Sequence, residues 1–403
     1  MDVIIFRMVG LLAAAMIVAI VARRIRLPYT VGLVIAGLVL AAARVQTGVE
    51  LTHDFIFDVI LPPLLFEAAL CIHWNELRRD AIPVLVLATL GVVISALVVA
   101  FGATALLGWP FSSALVFGVL IAATDPVAVI AMFKDTGVKG RLRLLVESES
   151  LLNDGVAAVL FAIVVGLAQA TGESSTLPEA LQALAVTAGG GTLVGLVCGG
   201  ACIVIAGRTP DHLVETGLTI IAAYGSFLLA EHVHVSGVLA TVAAGMLMGN
   251  LGVLDLREGN RLVLDGREFV VAFWDFAAFI ANSLIFLLIG VTVAAIPFTG
   301  LGPAALLLIV VLVLMGRALT VYPLCLIFAR SRWAVPIREQ HLLWWGGLRG
   351  ALALALALAL PPALAMRNEI LVATFGVVAF SVVVQGLTMT PFLRMLGLMP
   401  KRP

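Results

Sequence analysis

The chain has 403 residues, of which 62% are hydrophobic and only 12% are charged, and its mean hydropathy is +1.16. Soluble domains carry roughly 25% charged residues, so this composition excludes a soluble globular domain. The 24 basic and 24 acidic residues balance, and a nucleic-acid-binding protein, which would show a basic excess, is therefore excluded. The four cysteines lie in apolar runs, which excludes a disulfide scaffold. The sequence therefore predicts an all-α polytopic membrane protein.

The apolar stretches predict the membrane-spanning helices. A helix needs about 20 mostly apolar residues to cross the hydrocarbon core, because every backbone polar group must be paired within the segment. In chain order, the stretches that meet or approach this length cover residues 3–22, 28–43, 55–72, 81–107, 112–133, 144–170, 178–206, 214–230, 235–250, 268–296, 300–329, 341–360 and 368–393. We therefore expect about 13 transmembrane helices.

The basic residues predict the orientation of these helices. Of the 24 Lys and Arg residues, 19 fall in the odd-numbered loops or after the last span, whereas only Arg44 and Arg367 fall on the other side. Loops rich in Lys and Arg stay in the cytoplasm. We therefore expect a multi-pass protein of the cell (inner) membrane, with its N-terminus outside and a short cytoplasmic tail over 395–403.

Ionisable side chains inside the hydrocarbon mark candidate functional sites, because each costs at least about 2.5–3.5 kcal/mol. Thr124, Asp125 and Pro126 lie in the middle of a span. Proline removes a backbone donor and frees carbonyls, and unwound backbone at this depth is tolerated beside a cavity or an ion. Threonine, aspartate and free carbonyls supply the hard oxygen ligands of a small cation. The alternative is a proline kink whose aspartate pairs with an arginine.

The next span carries a second polar cluster, E-S-E-S-L-L-N-D-G over 147–155. Ser150 and Asp154 are four residues apart and share one helix face, while Glu149 and Asn153 share a neighbouring face. One face can offer a hydroxyl and a carboxylate to an ion, and the other can pair with the scaffold. Asp154 could instead be half of a structural ion pair.

Glu67 follows the helix-breaking pair Pro62 and Pro63. It is either a further carboxylate of the ion site or a polar group near a kink. Six histidines are present, but none are spaced i, i+4 as in a helical metal site, and no Ser-His-Asp set is evident. We therefore expect no cofactor, no resident metal and no enzymatic activity.

Two arginines inside spans need partners. Arg349 lies beside three glycines in W-G-G-L-R-G-A (345–351), and Glu149 is its candidate partner, since a buried charge needs an opposite charge. Arg317 either pairs with Asp275 or serves as a second charge of the scaffold.

Several motifs together resemble a known family. They are T-D-P (124–126), E-S-L-L-N-D-G (149–155), L-P-P-L-L-F-E-A-A-L (61–70), A-E-H-V-H-V-S-G-V-L-A (230–240), N-S-L-I-F-L-L-I-G (282–290) and G-L-R-G-A (347–351). This set resembles the prokaryotic sodium/proton antiporters of the NhaP type. Those are relatives of the eukaryotic sodium/hydrogen exchangers within the monovalent cation:proton antiporter superfamily.

The resemblance implies a homodimer in the lipid membrane, built of 13-helix protomers with inverted repeats. Two broken helices, here the spans of Asp125 and Arg349, would cross near the middle of the membrane. An interface domain would comprise 1–80 and 171–299. A core ion-transport domain, comprising 81–170 and 300–394, would move relative to it.

The resemblance also assigns site residues. Asp154 matches the essential aspartate that binds the transported Na+ or the proton. Asp125, the Thr124 carbonyl, Ser150 and Glu67 match its helpers in holding the cation.

Three further positions match the family. Asn153 stands where electrogenic relatives have a second aspartate, which indicates the electroneutral branch. Glu149 and Arg349 match the stabilising ion pair of the family.

The expected function is exchange of Na+ or Li+ for H+ by alternating access, with a role in pH homeostasis. Desolvation favours the protonated form of a carboxylate, and a bound cation favours the ionised form, so the two ions compete for Asp154. With one proton per cation no net charge moves, and the membrane potential does not affect turnover.

Other cation transporters remain alternatives. Oxygen ligands alone do not settle the size of the ion, so a K+/H+ antiporter fits the same residues. A Na+-coupled symporter or a cation channel would use the same cluster without exchanging protons.

Overall fold

The computed structural model describes residues 2–25, 27–44, 51–138, 140–169, 177–208, 211–253, 267–295 and 301–399. Throughout these ranges the regular structure is helical, and no strand occurs in them. The expected all-α fold class is confirmed. Residues 400–403 of the expected tail lie outside the described residues.

The helices follow one another in the order of the expected spans. They are α1 (Asp2–Ile25), α2 (Tyr29–Ala42), α3 (Leu61–Leu70, after a π-helical turn at Phe55–Ile60), α4 (Trp74–Leu107), α5 (Phe111–Leu120), α6 (Val127–Thr136), α7 (Arg141–Gln169), α8 (Leu177–Ala206), α9 (His212–His232), α10 (Gly237–Met248, followed by a π-helical turn at Gly249–Val253), α11 (Arg267–Ala295), α12 (Pro303–Ile327), α13 (Ile337–Trp345), α14 (Ala351–Leu358), α15 (Arg367–Phe380) and α16 (Gly386–Met395, joined to α15 through π-helical Ser381–Gln385).

Several helices are long and apolar enough to cross a membrane. Within the described residues, seven have the required length and hydropathy, namely Trp74–Leu107, Arg141–Gln169, Gln182–Ala206, His212–His232, Arg267–Ala295, Pro303–Ile327 and Arg367–Met395. Shorter apolar helices cover Val9–Ala22, Tyr29–Ala42, Phe111–Leu120 and Gly237–Leu251. The chain is therefore a multi-pass membrane protein.

The expected spans 112–133 and 341–360 are broken helices. The first ends at Leu120 and resumes at Val127 after Pro126, which cannot donate a backbone hydrogen bond. The second is interrupted between Trp345 and Ala351 by a glycine-rich segment. The two interrupted segments touch at the breaks, where the Asp125 N–H donates to the Leu348 carbonyl at 2.7 Å. The expected crossing of two broken helices is confirmed.

The order long helix, broken helix, long helix occurs twice. It covers α4 to α7 and again α12 to α16. The leading helices α4 and α12 pack antiparallel: Gly91 accepts from the Thr320 hydroxyl at 3.1 Å, and farther along α4 Gly102 lies against Leu312. Because α12 runs opposite to α4, the two units are inverted with respect to each other.

The buried apolar residues form two clusters. The larger one surrounds the broken helices. The smaller one lies among α3, α8, α9, α10 and α11, and Phe66 and Trp274 are among its largest members. Close packing of α8 on α10 depends on small residues, since a Cβ atom on Gly195 would collide with the Ala240 carbonyl. The larger cluster therefore packs around the crossing point.

Candidate ion-binding site

A cavity of about 1260 Å³ reaches from the crossing point to one end of the molecule. Its walls come from α2, α3 and α11 on one side and from α6, α7, α14 and α16 on the other. Arg143 and Arg394 mark its outer end, on the side expected to be cytoplasmic. Four of the expected site residues line it: Glu67, Thr124, Asp125 and Asp154.

Asp154 presents a carboxylate with unfilled hydrogen-bonding capacity. It lies on α7 and is half-buried at the cavity. Its Oδ1 atom is buried and has no hydrogen-bond partner among the described residues. A buried polar atom left unsatisfied costs about 1–3 kcal/mol, so this oxygen is suited to receive a proton or a cation.

Asp125 is fixed at the crossing of the two broken helices. Its carboxylate accepts a hydrogen bond from the Val127 N–H at 2.9 Å, and the Ala351 N–H is a second backbone partner. These donors belong to the first turns of α6 and α14, so the positive ends of two helix dipoles face one carboxylate. A Cβ atom on Gly350 would collide with this carboxylate, which explains the glycine there.

Thr124 is held against α7 by a polar network. Its N–H donates to Asn153 Oδ1 at 3.2 Å, and Asn153 Nδ2 donates to Thr124 Oγ1 at 2.6 Å. The Ser150 hydroxyl donates to the Thr124 carbonyl. Ser150 and Asn153 therefore lie behind Thr124 rather than in the lining of the cavity, and their part in ion binding stays a prediction.

Glu149 is paired with Arg317. The two guanidinium nitrogens Nη1 and Nη2 of Arg317 lie 2.7 and 2.8 Å from Oε1 and Oε2 of Glu149, and Asn153 Nδ2 donates to Oε1 at 3.1 Å. The expected pairing of Glu149 with Arg349 is therefore wrong. Of the two alternatives for Arg317, the structure shows a second charge of the scaffold rather than a pair with Asp275. Glu149 satisfies both of its oxygens on the side of α7 that faces Arg317.

Arg349 binds backbone carbonyls instead. Its Nη1 donates to the carbonyls of Ala122 at 2.5 Å and Ala123 at 3.0 Å, just beyond the end of α5. Arg317 does the same at the other break, where its Nε donates to the Leu343 carbonyl near the end of α13 at 3.1 Å. The carboxyl end of a helix carries partial negative charge, so each arginine stabilises one interrupted end.

Buried arginines in this chain bind backbone carbonyls as well as carboxylates, and carbonyl partners were not expected from the sequence. Breaking a membrane-spanning helix leaves backbone carbonyls without helical partners, and these carbonyls accept hydrogen bonds from a guanidinium as a carboxylate does. The position of Arg317 in the middle of an apolar span already indicated a second scaffold arginine, but not the carbonyl that it binds. Two polar residues of the cavity lining, Thr30 and Asn282, were also missed.

Comparison with known proteins places the chain. The family described as sodium/hydrogen exchanger, transmembrane, matches residues 11–395. The chain is 40% identical over 383 residues to the Na(+)/H(+) antiporter ApNhaP of Aphanothece halophytica, covering 94% of this chain and 71% of that protein. It is 36% identical over 397 residues to the Na(+)/H(+) antiporter NhaP of Pseudomonas aeruginosa, covering 92% of each.

A solved structure shares the fold. The sodium proton antiporter MjNhaP1 from Methanocaldococcus jannaschii superposes with a TM-score of 0.78 at 20% sequence identity, covering 98% of each chain. The family resemblance drawn from the motifs is thus confirmed, and the chain is a transporter, not an enzyme. With its crossed broken helices and its acidic cavity, this chain belongs to the sodium/hydrogen exchanger family, as an NhaP-type Na+/H+ antiporter.

Proposed function

We propose that this chain exchanges one Na+ for one H+, with the Asp154 carboxylate carrying the two ions in turn. The observation that carries the proposal is the buried Oδ1 of Asp154 at the inner part of the cavity, which has no hydrogen-bond partner in the part of the chain that the structure describes. Asp125 and Glu149, its acidic neighbours, are already held by backbone donors and by Arg317. Of these three acids, Asp154 is therefore the one that most readily exchanges a bound proton for a bound Na+.

Competition at one carboxylate couples the two ions. Burial disfavours an uncompensated negative charge, so Asp154 is stable in the low-dielectric site with a proton or with a cation. Thr124, Asp125 and Glu67 line the same cavity and supply further oxygen atoms to the cation. If the core domain changes sides only when Asp154 carries a proton or a cation, the two ions are exchanged and neither one leaks across the membrane alone.

The amide at position 153 supports electroneutrality. Both ends of the Asn153 side chain are engaged: Oδ1 accepts from the Thr124 N–H, and Nδ2 donates to Thr124 Oγ1 and to Glu149 Oε1. The amide carries no charge. Only one carboxylate then changes occupancy per cycle. One positive charge moves in each direction, so no work is done against the membrane potential.

The position of the cavity supports alternating access. It extends toward the side expected to be cytoplasmic, while on the opposite side the segment before α3 packs on α14, with His53 Nδ1 3.0 Å from the Ala355 carbonyl. We infer an inward-facing state in which that contact is closed. Movement of the core domain against the interface domain of a homodimer, in the cell (inner) membrane, would close one side and open the other.

The test is a flux assay with the purified protein in sealed liposomes. An outside Na+ pulse should drive proton movement, reported by an internal pH dye, and an imposed potential should leave the rate unchanged. Asp154→Asn should abolish the flux, whereas Glu179→Gln, at an exposed position in the first turn of α8, should retain it. Substantial Na+-dependent proton flux in Asp154→Asn would contradict the assignment.

The same assay separates the rival functions. Repeating the pulse with Li+ and K+ ranks the ions, and a response to K+ above that to Na+ would favour a K+/H+ antiporter. Na+ uptake without proton movement would favour a symporter or a channel.

A further inference from the structure

Two buried oxygens lie on the cavity wall that α2 and α11 form. Thr30 Oγ1 on α2 and Asn282 Oδ1 on α11 lack hydrogen-bond partners among the described residues. The two residues are only 2% and 9% exposed, and both line the cavity. Unsatisfied buried polar atoms are rare in native proteins, and each one calls for an explanation.

The packing of α2 on α11 places the two residues at similar positions along the two helices. The Tyr29 ring stacks on Phe279 with centroids 5.3 Å apart, and its hydroxyl bonds the Ser283 hydroxyl. Farther along both helices, Gly37 and Gly290 allow direct backbone contact. The helices therefore run parallel in a fixed register, in which Thr30 is level with Asn282.

An acidic side chain lies nearer the mouth on the same helix. Asp275 precedes Asn282 by seven residues, which is about 10 Å or two turns along α11, and it too lines the cavity. Phe279, between them, is on the same lining face. A carboxylate in a cleft with low-dielectric walls raises the local concentration of cations.

We propose that Thr30 and Asn282 form a second cation position, the α2–α11 site, for a partly hydrated monovalent cation on its way between Asp275 and Asp154. A hydroxyl and an amide carbonyl are hard oxygen ligands of the kind that Na+ accepts in place of water. Neither carries a charge, so the cation is held weakly and moves on to the carboxylate. This inference rests on the proposed transport of Na+.

The first experiment measures Na+-driven proton flux in liposomes against the Na+ concentration on the cavity side. Thr30→Val and Asn282→Leu remove the oxygens at nearly constant size, and each should raise the KM for Na+ by about threefold to tenfold, with kcat within about twofold. Thr30→Ser, which keeps the hydroxyl, should retain the wild-type KM.

Thr104→Val is the matched control. The Thr104 hydroxyl is likewise buried without a partner among the described residues, but it lies on α4 outside the cavity lining. Its KM should equal that of the wild type. An unchanged KM in both Thr30→Val and Asn282→Leu, or a fall in kcat alone, would overturn the second site.

The second experiment measures binding without turnover. Purified Asp154→Asn should retain weak equilibrium binding of radioactive Na+, and adding Asn282→Leu should remove it. Equal binding in the single and double variants would overturn the inference. Absence of Na+-driven flux in the wild type would instead defeat the proposed function, so the two failures are distinguishable.

Discussion

Arg317 and Glu149 face each other through two parallel hydrogen bonds of 2.7 and 2.8 Å, both side chains almost wholly buried. The Nε atom of the same arginine binds the Leu343 carbonyl. One guanidinium thus ties α7, α12 and the interrupted end of α13 together. Planar, bidentate contact of this kind is specific to arginine, because lysine offers a single point charge.

Breaking this ion pair should destabilise the protein. Glu149→Gln or Arg317→Met leaves one buried charge uncompensated, which costs about 3–5 kcal/mol, and the midpoint of thermal unfolding in detergent should fall. The control is Arg143→Gln, whose i, i+4 pair with Glu147 is partly exposed and contributes no more than about 1 kcal/mol. Equal losses in the Glu149 and Arg143 variants would contradict the role given to the buried pair.

Gly350→Ala should abolish exchange. The added methyl group would overlap the Asp125 carboxylate and force the two broken helices apart at their crossing. The matched control is Gly166→Ala on α7. Apart from its chain neighbours and the local helix backbone, no described atom lies within 4 Å of the new Cβ, and alanine favours the helix by about 1 kcal/mol. Proton flux in liposomes gives the readout, and wild-type flux in Gly350→Ala would argue against a fixed crossing.

Asn153→Asp should leave exchange detectable but lower the stability. An ionised carboxylate cannot donate to Thr124 Oγ1 or to Glu149, and it would repel the Glu149 carboxylate, which now lies 3.1 Å from Asn153 Nδ2. We expect a lower unfolding midpoint than for Asn153→Ala, which adds no charge. Flux measured at several imposed potentials tests whether the new carboxylate changes the stoichiometry; a rate that follows the potential would show that this position controls electroneutrality.

Protons should compete with Na+ at the cavity. As the pH on the cavity side falls, more of the Asp154 carboxylate is protonated, so the KM for Na+ should rise while the rate at saturating Na+ stays constant. Initial rates over a grid of pH and Na+ concentration check this relation. A saturating rate that falls with pH at an unchanged KM would show that the proton acts elsewhere.

The sequence alone determined the membrane class, the span order and the identity of the central residues. Runs of apolar residues have one physical outcome in a bilayer, and the prolines and glycines at Pro126 and in 345–351 break helices locally. A carboxylate inside an apolar run costs free energy however the chain folds, so the position of Asp125 and Asp154 within such runs is enough to mark them as candidate site residues.

Only the tertiary structure decided which charges meet. The sequence does not say which distant arginine pairs with Glu149. The packing of α12 against α7 brings Arg317, and not Arg349, to this carboxylate. Arg349 met carbonyls whose availability depends on how the second break crosses the first. The same holds for Thr30 Oγ1 and Asn282 Oδ1, which have no hydrogen-bond partner among the described residues. Whether a polar atom finds a partner depends on its neighbours in space, here the residues of α2 and α11, and not on its neighbours in sequence.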